Sequence, residues 1–425
     1  MLEEKSTIQN LLDATKAGDR KISARPNYIP PKYLAFLKSE IGAVNREVNV
    51  VEMVETLNPE TTKQKWIDHA MHGRFENPIF DYDTEKILKI ASKEAKVLEL
   101  FDLVYDYSPN DLREQFEIEM MLYVLQNLLL TVEIAKSMLL RDDKATAKLV
   151  RKKFGSMPDF VKNLCFEKQP EGADLQNKKF DAEGIADAFY LAQDYYGFNW
   201  PIVISDNAVA IDVRDKSEDG KQIVIPRSRV VDSSQLLRLI GHEIESHMRG
   251  SMNGLVLFGF GGLNMKTDNE ELYEGLAMLS DRDFDLWKKG RYQNEPASYY
   301  VQAMKMALDG SCFAEVAKSL WQQRRHEPRS LEKAYNIARR VFRGVADTNN
   351  PAGYAFTKDL AYYNGLNQAI ELEANGYGWL LELGSFDLNQ LIIIARHFRL
   401  SPQMIPYKRI DLKTDERFLS DLGLI

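Results

Sequence analysis

The chain has few of the residues that mark several protein classes. Cys165 and Cys312 are the only cysteines in 425 residues, so no disulfide framework is needed and a reducing compartment is expected. Lys and Arg total 55 against 63 Asp and Glu, and a net charge of −8 argues against a nucleic-acid partner. The first residues, Met1 to Asp13, are polar and charged and lack the apolar stretch of a signal peptide. No apolar run reaches the roughly 18 residues of a membrane span, so no membrane partner is expected. Leu391-Ile392-Ile393-Ile394 is a short buried element at most. Internal repeats and low-complexity segments are missing too. Together these absences point to a cytoplasmic, globular protein.

What is present is an ordinary soluble balance, 44% hydrophobic and 28% charged, with length for two or three packed lobes. The first third is helical in pattern. Glu85 to Val104 and Asp111 to Leu140 repeat apolar residues every three or four positions, and Asp143 to Phe154 reads as a shorter basic helix. Gly155 and Glu167 to Gly172 read as a linker, and Asp181 to Tyr196 as a helix again. Then the period changes. Pro201 to Ile204, Val209 to Val213 and Gln222 to Ile225 are short and rich in Ile and Val, with a turn-rich stretch from Asp215 to Gly220 between the last two. This predicts a strand followed by a β-hairpin, the only clear sheet. Asp232-Ser233-Ser234 offers N-caps for a helix from about Ser234 to Arg249, which Gly250 is placed to stop. Downstream of Asn269 the pattern is helical almost to the end. The fold class expected is α+β, predominantly helical.

The last turns of that helix hold His242-Glu243-Ile244-Glu245-Ser246-His247. Two neutral imidazoles beside a carboxylate are what a zinc hydrolase needs, as ligands and as a base next to the metal. The spacing, H-E-x-x-x-H, poses a geometric problem. Residues five apart on a regular α-helix point about 140° away from each other. A local widening to i→i+5 bonding brings them to one face, and such π-bulges cluster at functional sites. The sequence therefore predicts either a distorted helix at the chemistry or two histidines on opposite faces with no metal.

A third ligand is offered by the second helix, which begins Glu270-Glu271-Leu272-Tyr273-Glu274-Gly275-Leu276-Ala277. Thr267 or Asp268 can cap it, with Glu270 or Glu271 completing the cap. Glu274 has no capping role, and Gly275 beside it removes bulk. A carboxylate on a neighbouring helix suits a His-His-Glu zinc site. Asp281, seven residues on, is a candidate acceptor for a ligand imidazole, or a solvated helix acid. His69, His72, His326 and His397 sit in contexts that give them no part in the site.

The Gly241-His242-Glu243-Ile244-Glu245-Ser246-His247 segment, followed by Tyr273-Glu274-Gly275-Leu276-Ala277, resembles the QEGLA-motif proteins, among them the microtubule-associated tyrosine carboxypeptidases. The usual Gln is Tyr273 here. Weaker likenesses lie at Asn77 to Tyr82, Arg340 to Gly344 and Phe356 to Tyr362. The resemblance implies a zinc metallopeptidase with His242, His247 and Glu274 as metal ligands and Glu243 as catalytic base. It implies a catalytic domain over residues 171–425, with residues 1–170 as an N-terminal helical lobe packed on it. It also implies a protein C-terminus as substrate. Tubulin enters through the resemblance alone, and the acidic balance of the chain speaks against an acidic protein tail unless basic residues gather locally.

A carboxypeptidase of this kind needs a donor for the oxyanion, for which Tyr362 is the candidate, with Tyr299 or Tyr300 behind it. It also needs a group to hold the free carboxylate. Arg340 and Arg343, three apart on one helix face, and Lys358 are the candidates, because a planar guanidinium matches a carboxylate. The Gly-rich Phe258 to Gly262 follows no strand and reads as a loop bordering the cleft. Two rival readings remain open. One is an exopeptidase like dipeptidyl peptidase III, which shares the H-E-x-x-x-H spacing but cuts from the N-terminus. The other is a non-catalytic metal-binding scaffold.

Overall fold

Asp side chains open many of the helices in this computed structural model. Asp83, Asp111, Asp142 and Asp181 each accept hydrogen bonds from backbone N–H groups in the first turn that follows. The structure describes residues 8–16, 21–22, 29–155, 176–208, 210–217, 220–259, 271–282, 296–350 and 352–425. The expected linker at Glu167 to Gly172, Cys165, and the caps Thr267 and Asp268 lie outside them, as do Glu270 and most of the Gly-rich loop.

The N-terminal part is built from α1 (Ile8–Lys16), α2 (Lys32–Glu47), α3 (Val50–Met53), α4 (Pro59–Met71), α5 (Thr84–Ala91), α6 (Glu94–Tyr105), α7 (Leu112–Leu139) and α8 (Asp143–Phe154). The single helix expected over Glu85 to Val104 is two. Ser92 turns its hydroxyl back to the Lys89 carbonyl at 2.7 Å, a local bond that competes with the helix ladder. By length and composition α7 could cross a membrane, although no unbroken apolar run in it reaches the length of a span. Its most apolar stretch is 67% buried inside the protein, the pattern of a central core helix.

After β1 (Lys179–Phe180) and α9 (Ala182–Tyr196) come β2 (Ile202–Ser205), β3 (Asp212–Ser217), β4 (Gly220–Pro226) and β5 (Val231–Asp232). β4 is central, parallel to β2 and antiparallel to β3. The hairpin is where it was expected, but β3 runs on to Ser217, which pairs with Gly220. A two-residue connection is the natural length for a hairpin turn, so the polar residues before it join the ladder. A second, two-residue ladder pairs β1 with β5, so the three-stranded sheet does not stand alone. Its partners Lys179 and Asp232 lie 53 positions apart, a separation that no local pattern reveals.

Then follow α10 (Ser233–Leu239), a π-helical stretch (Ile240–Met248) and α11 (Arg249–Phe258) in unbroken succession. Gly250 does not stop the helix. A Cβ placed there would make only an ordinary contact, 3.5 Å from Ser385 Oγ, and the chain continues to Gly259, which ends it in the left-handed conformation at φ 71°. The remainder is α12 (Glu271–Arg282), α13 (Pro296–Leu308), α14 (Phe313–Arg324), α15 (Ser330–Val341), α16 (Ala361–Ala374), α17 (Leu388–His397) and α18 (Glu416–Asp421).

The apolar core falls into two clusters. The larger joins α1–α8 to α11–α17 and so takes residues from both sides of position 170. The smaller is built from α9, the sheet, the helix through Ile240, Ile244 and Met248, and the C-terminal residues Leu412, Phe418, Leu419 and Leu424. α12 and α16 pack closely, because Gly275 lies against Gly365. A Cβ on Gly275 would sit 2.2 Å from the Gly365 carbonyl oxygen, a backbone atom that cannot swing away. Gly275→Ala should therefore destabilise the protein by about 1–3 kcal/mol through overpacking, read as a lowered denaturant midpoint. An unchanged midpoint would show that the two helices separate freely.

Candidate metal centre

The His-bearing helix is held at its start by a capping box. Asp232 accepts from the Gln235 N–H at 2.8 Å, and the Gln235 side chain accepts from the Asp232 N–H at 3.1 Å. From Ile240 to Met248 the hydrogen bonding widens to the i→i+5 pattern that the histidine spacing demands. The Arg249 N–H reaches back to the Ile244 carbonyl, and the Ser246 hydroxyl donates to the Gly241 carbonyl at 2.8 Å, again five residues back. Ile240, Ile244 and Met248 lie in the smaller core.

The widening brings both rings to α12. His242 Nε2 is 3.7 Å and His247 Nε2 3.8 Å from the same Glu274 oxygen, Oε2. The two ring centroids are 4.7 Å apart with their planes at 87°. The ligand atoms of the three residues all lie within 4.8 Å of one another. Ligand–metal bonds of about 2.1 Å in a tetrahedron place donors about 3.4 Å apart, so the spacing suits one divalent ion between them. The donor chemistry, two imidazole nitrogens and one carboxylate oxygen, also suits such an ion. Among the described residues this is the one His, Cys, Asp and Glu group with that convergence. Glu243, buried and next in sequence to His242, is not one of the three converging donors.

The residues that flank Glu274 shape the site from behind. Tyr273 lies 3.9 Å from the His247 ring, centroid to centroid, at 24°, a stacked pair that restricts how the imidazole turns. Gly275 admits α16 to the other side of α12.

The remaining sequence candidates are placed as follows. Arg340 closes α15 and forks Asp359, through Nε at 2.9 Å and Nη2 at 2.8 Å, with its guanidinium 5.0 Å from the Tyr300 ring centre. Arg343 does not share its helix. α15 ends at Val341, and Gly344 at φ 92° turns the chain, so the two arginines are not three apart on one helical face. Arg343 pairs with Glu55 at 2.7 Å, and Glu55 also holds Arg339 at 3.3 Å. Lys358 sits next to Asp359 in a 3-10 turn, Thr357–Leu360, that leads into α16. Tyr299 is packed under Arg324, 4.5 Å from its guanidinium. Tyr362 starts α16, and its side chain and that of Asp281 lie outside what the structure describes. His69 pairs with Glu76 and His397 with Glu119, each at 2.8 Å, His72 meets the Asp68 carbonyl at 2.7 Å, and His326 is exposed.

One set of residues escaped the sequence reading. Glu245, Arg249 and Asn253 lie at four-residue intervals on the His-bearing helix, and the sequence offers no reason to single them out. All three are fully buried. Glu245 accepts from the Tyr196 hydroxyl and from the Leu412 N–H, both at 2.9 Å. Burial above all, and then the Glu245 charge, push the Tyr196 hydroxyl above its ordinary range, so it remains a donor. A glutamate, an arginine and an asparagine at four-residue spacing are the local signal, which by itself does not separate a buried polar row from a solvated one.

Residues 151–391 match the family described as microtubule-associated tyrosine carboxypeptidase. No curated protein matches the chain. The matched stretch is more than half of the chain, and it contains the widened helix, α12 and all three converging donors. It also contains Arg340, Arg343, Lys358 and Tyr362, and it ends before the C-terminal residues that cover Glu245. With that match and that site, the protein belongs to the microtubule-associated tyrosine carboxypeptidase family.

Proposed function

We propose that this member of a carboxypeptidase family is a zinc-dependent enzyme that removes the last residue of a peptide or protein chain. The observation that carries this reading is the convergence of His242, His247 and Glu274, from two helices, at the spacing of one tetrahedral ion. A zinc ion held by these residues supplies Lewis acidity and a water whose pKa is lowered to about 7. Three protein ligands and an adjacent carboxylate form the open pattern of a catalytic centre, which counts against a structural ion in a scaffold.

Glu243 is assigned the general base. It takes a proton from the attacking water and returns it to the leaving amine. Tyr362 is assigned to donate to the oxyanion, where a pre-placed hydroxyl acts only as charge develops. Arg340 is assigned the substrate carboxylate. Its side chain is 36% exposed against 12% for Arg343, and Asp359 sets the plane of its guanidinium. Arg343, held by Glu55, adds positive charge, and Lys358 precedes Asp359 in the chain. Arginine at the substrate's end would favour a free C-terminal carboxylate over the ammonium group that a dipeptidyl peptidase must hold. The family's name points to a C-terminal tyrosine, and to tubulin as the first protein to test.

The purified protein should carry about one divalent ion per chain by elemental analysis, and His247→Ala should carry none. Equal metal in both would remove the centre. Glu243→Gln should keep the ion and lose about 10²- to 10⁴-fold in kcat; full activity would remove the base assignment. Peptides blocked at the N-terminus should be cut and C-terminal amides spared, and Arg340→Ala should raise KM more than it lowers kcat. Cleavage of C-terminal amides alone would favour the N-terminal exopeptidase.

A further inference from the structure

The widened helix needs something to keep it wide. Relaxing the π stretch to a regular α-helix would turn everything beyond it by about 100°, one residue's rotation. His247 would then leave His242 and Glu274. The start of the helix is fixed by the Asp232 capping box. The question is what fixes the rotation of its far end.

The far end is gripped by the C-terminal part of the chain. Arg249, with no exposed surface, donates from Nη1 to Glu382 at 3.0 Å and to the Tyr407 carbonyl at 3.1 Å. Its Nε donates to the Glu245 carbonyl at 2.6 Å. One turn on, Asn253 donates to the Glu382 and Tyr407 carbonyls at 2.8 and 3.0 Å, and accepts from the Tyr407 N–H at 2.9 Å. One turn back, Glu245 takes the Tyr196 hydroxyl and the Leu412 N–H, and Tyr196 in turn accepts from the Ile410 N–H at 3.0 Å. The bonds from Glu245, Arg249 and Asn253 to Tyr196, Glu382, Tyr407 and Leu412 depend on the rotation of the helix. A turn of 100° would strand a buried guanidinium and a buried amide among apolar side chains, where lost partners are costly.

We propose that Glu245, Arg249 and Asn253, clasped by residues 407–412, are positioning residues that lock the rotational phase of the His-bearing helix and so hold His247 in metal-binding geometry. With both ends of the helix held, the extra residue between them has only a widened turn to occupy. The inference rests on the reading of His242, His247 and Glu274 as a metal site. The clasping segment lies beyond the stretch that matches the family.

The test uses the full chain, cobalt(II) as probe, and the variants Tyr196→Phe, Asn253→Ala and Arg249→Lys. Tyr196→Phe keeps the ring and removes only the hydroxyl that links Glu245 to Ile410. Apparent metal affinity falls in proportion to the fraction of protein in the competent register. Tyr196→Phe and Asn253→Ala should bind cobalt about tenfold more weakly, with an altered visible spectrum and faster hydrogen exchange at amides 240–253. Arg249→Lys should bind more tightly than Arg249→Ala. A control of similar global destabilisation in the larger core, Leu37→Ala, should leave the cobalt spectrum unchanged. Wild-type affinity, spectrum and exchange in both Tyr196→Phe and Asn253→Ala would overturn the lock. If Arg249→Lys does not fold, those two variants decide. A wild-type chain that binds no cobalt would instead overturn the metal site, and the exchange rates would still decide whether the clasp holds the register.

Discussion

Two histidines five positions apart are one position too far apart for an α-helix, and most of the site's architecture answers that mismatch. A regular helix would send His242 and His247 about 140° apart. The widened stretch from Ile240 to Met248 brings both to one Glu274 oxygen. Such a stretch is intrinsically unfavourable and persists where its surroundings over-determine it. Here the surroundings are specific: a capping box at Asp232, a hydroxyl of Ser246 bonded five residues back, and buried polar contacts at Glu245, Arg249 and Asn253.

The donors also come from different parts of the core. The histidines ride on a helix whose apolar face, Ile240, Ile244 and Met248, belongs to the smaller cluster. Glu274 rides on α12, whose Leu272, Leu276 and Leu279 belong to the larger one. The convergence therefore lies at a seam, and its width depends on how both clusters pack. The contact of Gly275 with Gly365 sets α12 against α16 from behind, and the ring of Tyr273 sets His247 from the side.

Much of this was legible in residue order because the signals are local. Asp83, Asp111, Asp142, Asp181 and Asp232 cap helices since a short acidic side chain reaches its own following N–H groups. The hairpin showed in its alternation from Ile and Val to turn residues. The π-bulge showed because a metal needs both imidazoles on one side. Other features had no local signature. Gly250 looked like a stop signal but runs inside the helix, and Arg343 looked like a helix neighbour of Arg340 but follows a turn. Polar residues at 245, 249 and 253 gave no local sign of burial because their partners Glu382, Tyr407 and Leu412 are more than 120 positions away.

Residue order by itself determined the donor types, their spacing and the need for a distorted turn, since ligand chemistry and helical pitch are properties of short segments. It also marked where the helices after Asp111, Asp142, Asp181 and Asp232 begin. Only the tertiary structure decided that Glu274 meets both imidazoles, that Arg340 and Arg343 are engaged by Asp359 and Glu55, and that a glutamate, an arginine and an asparagine are buried under the C-terminal segment. Those outcomes depend on which distant surfaces pack together. Packing is settled by the whole apolar core at once, and no window of a few residues contains it.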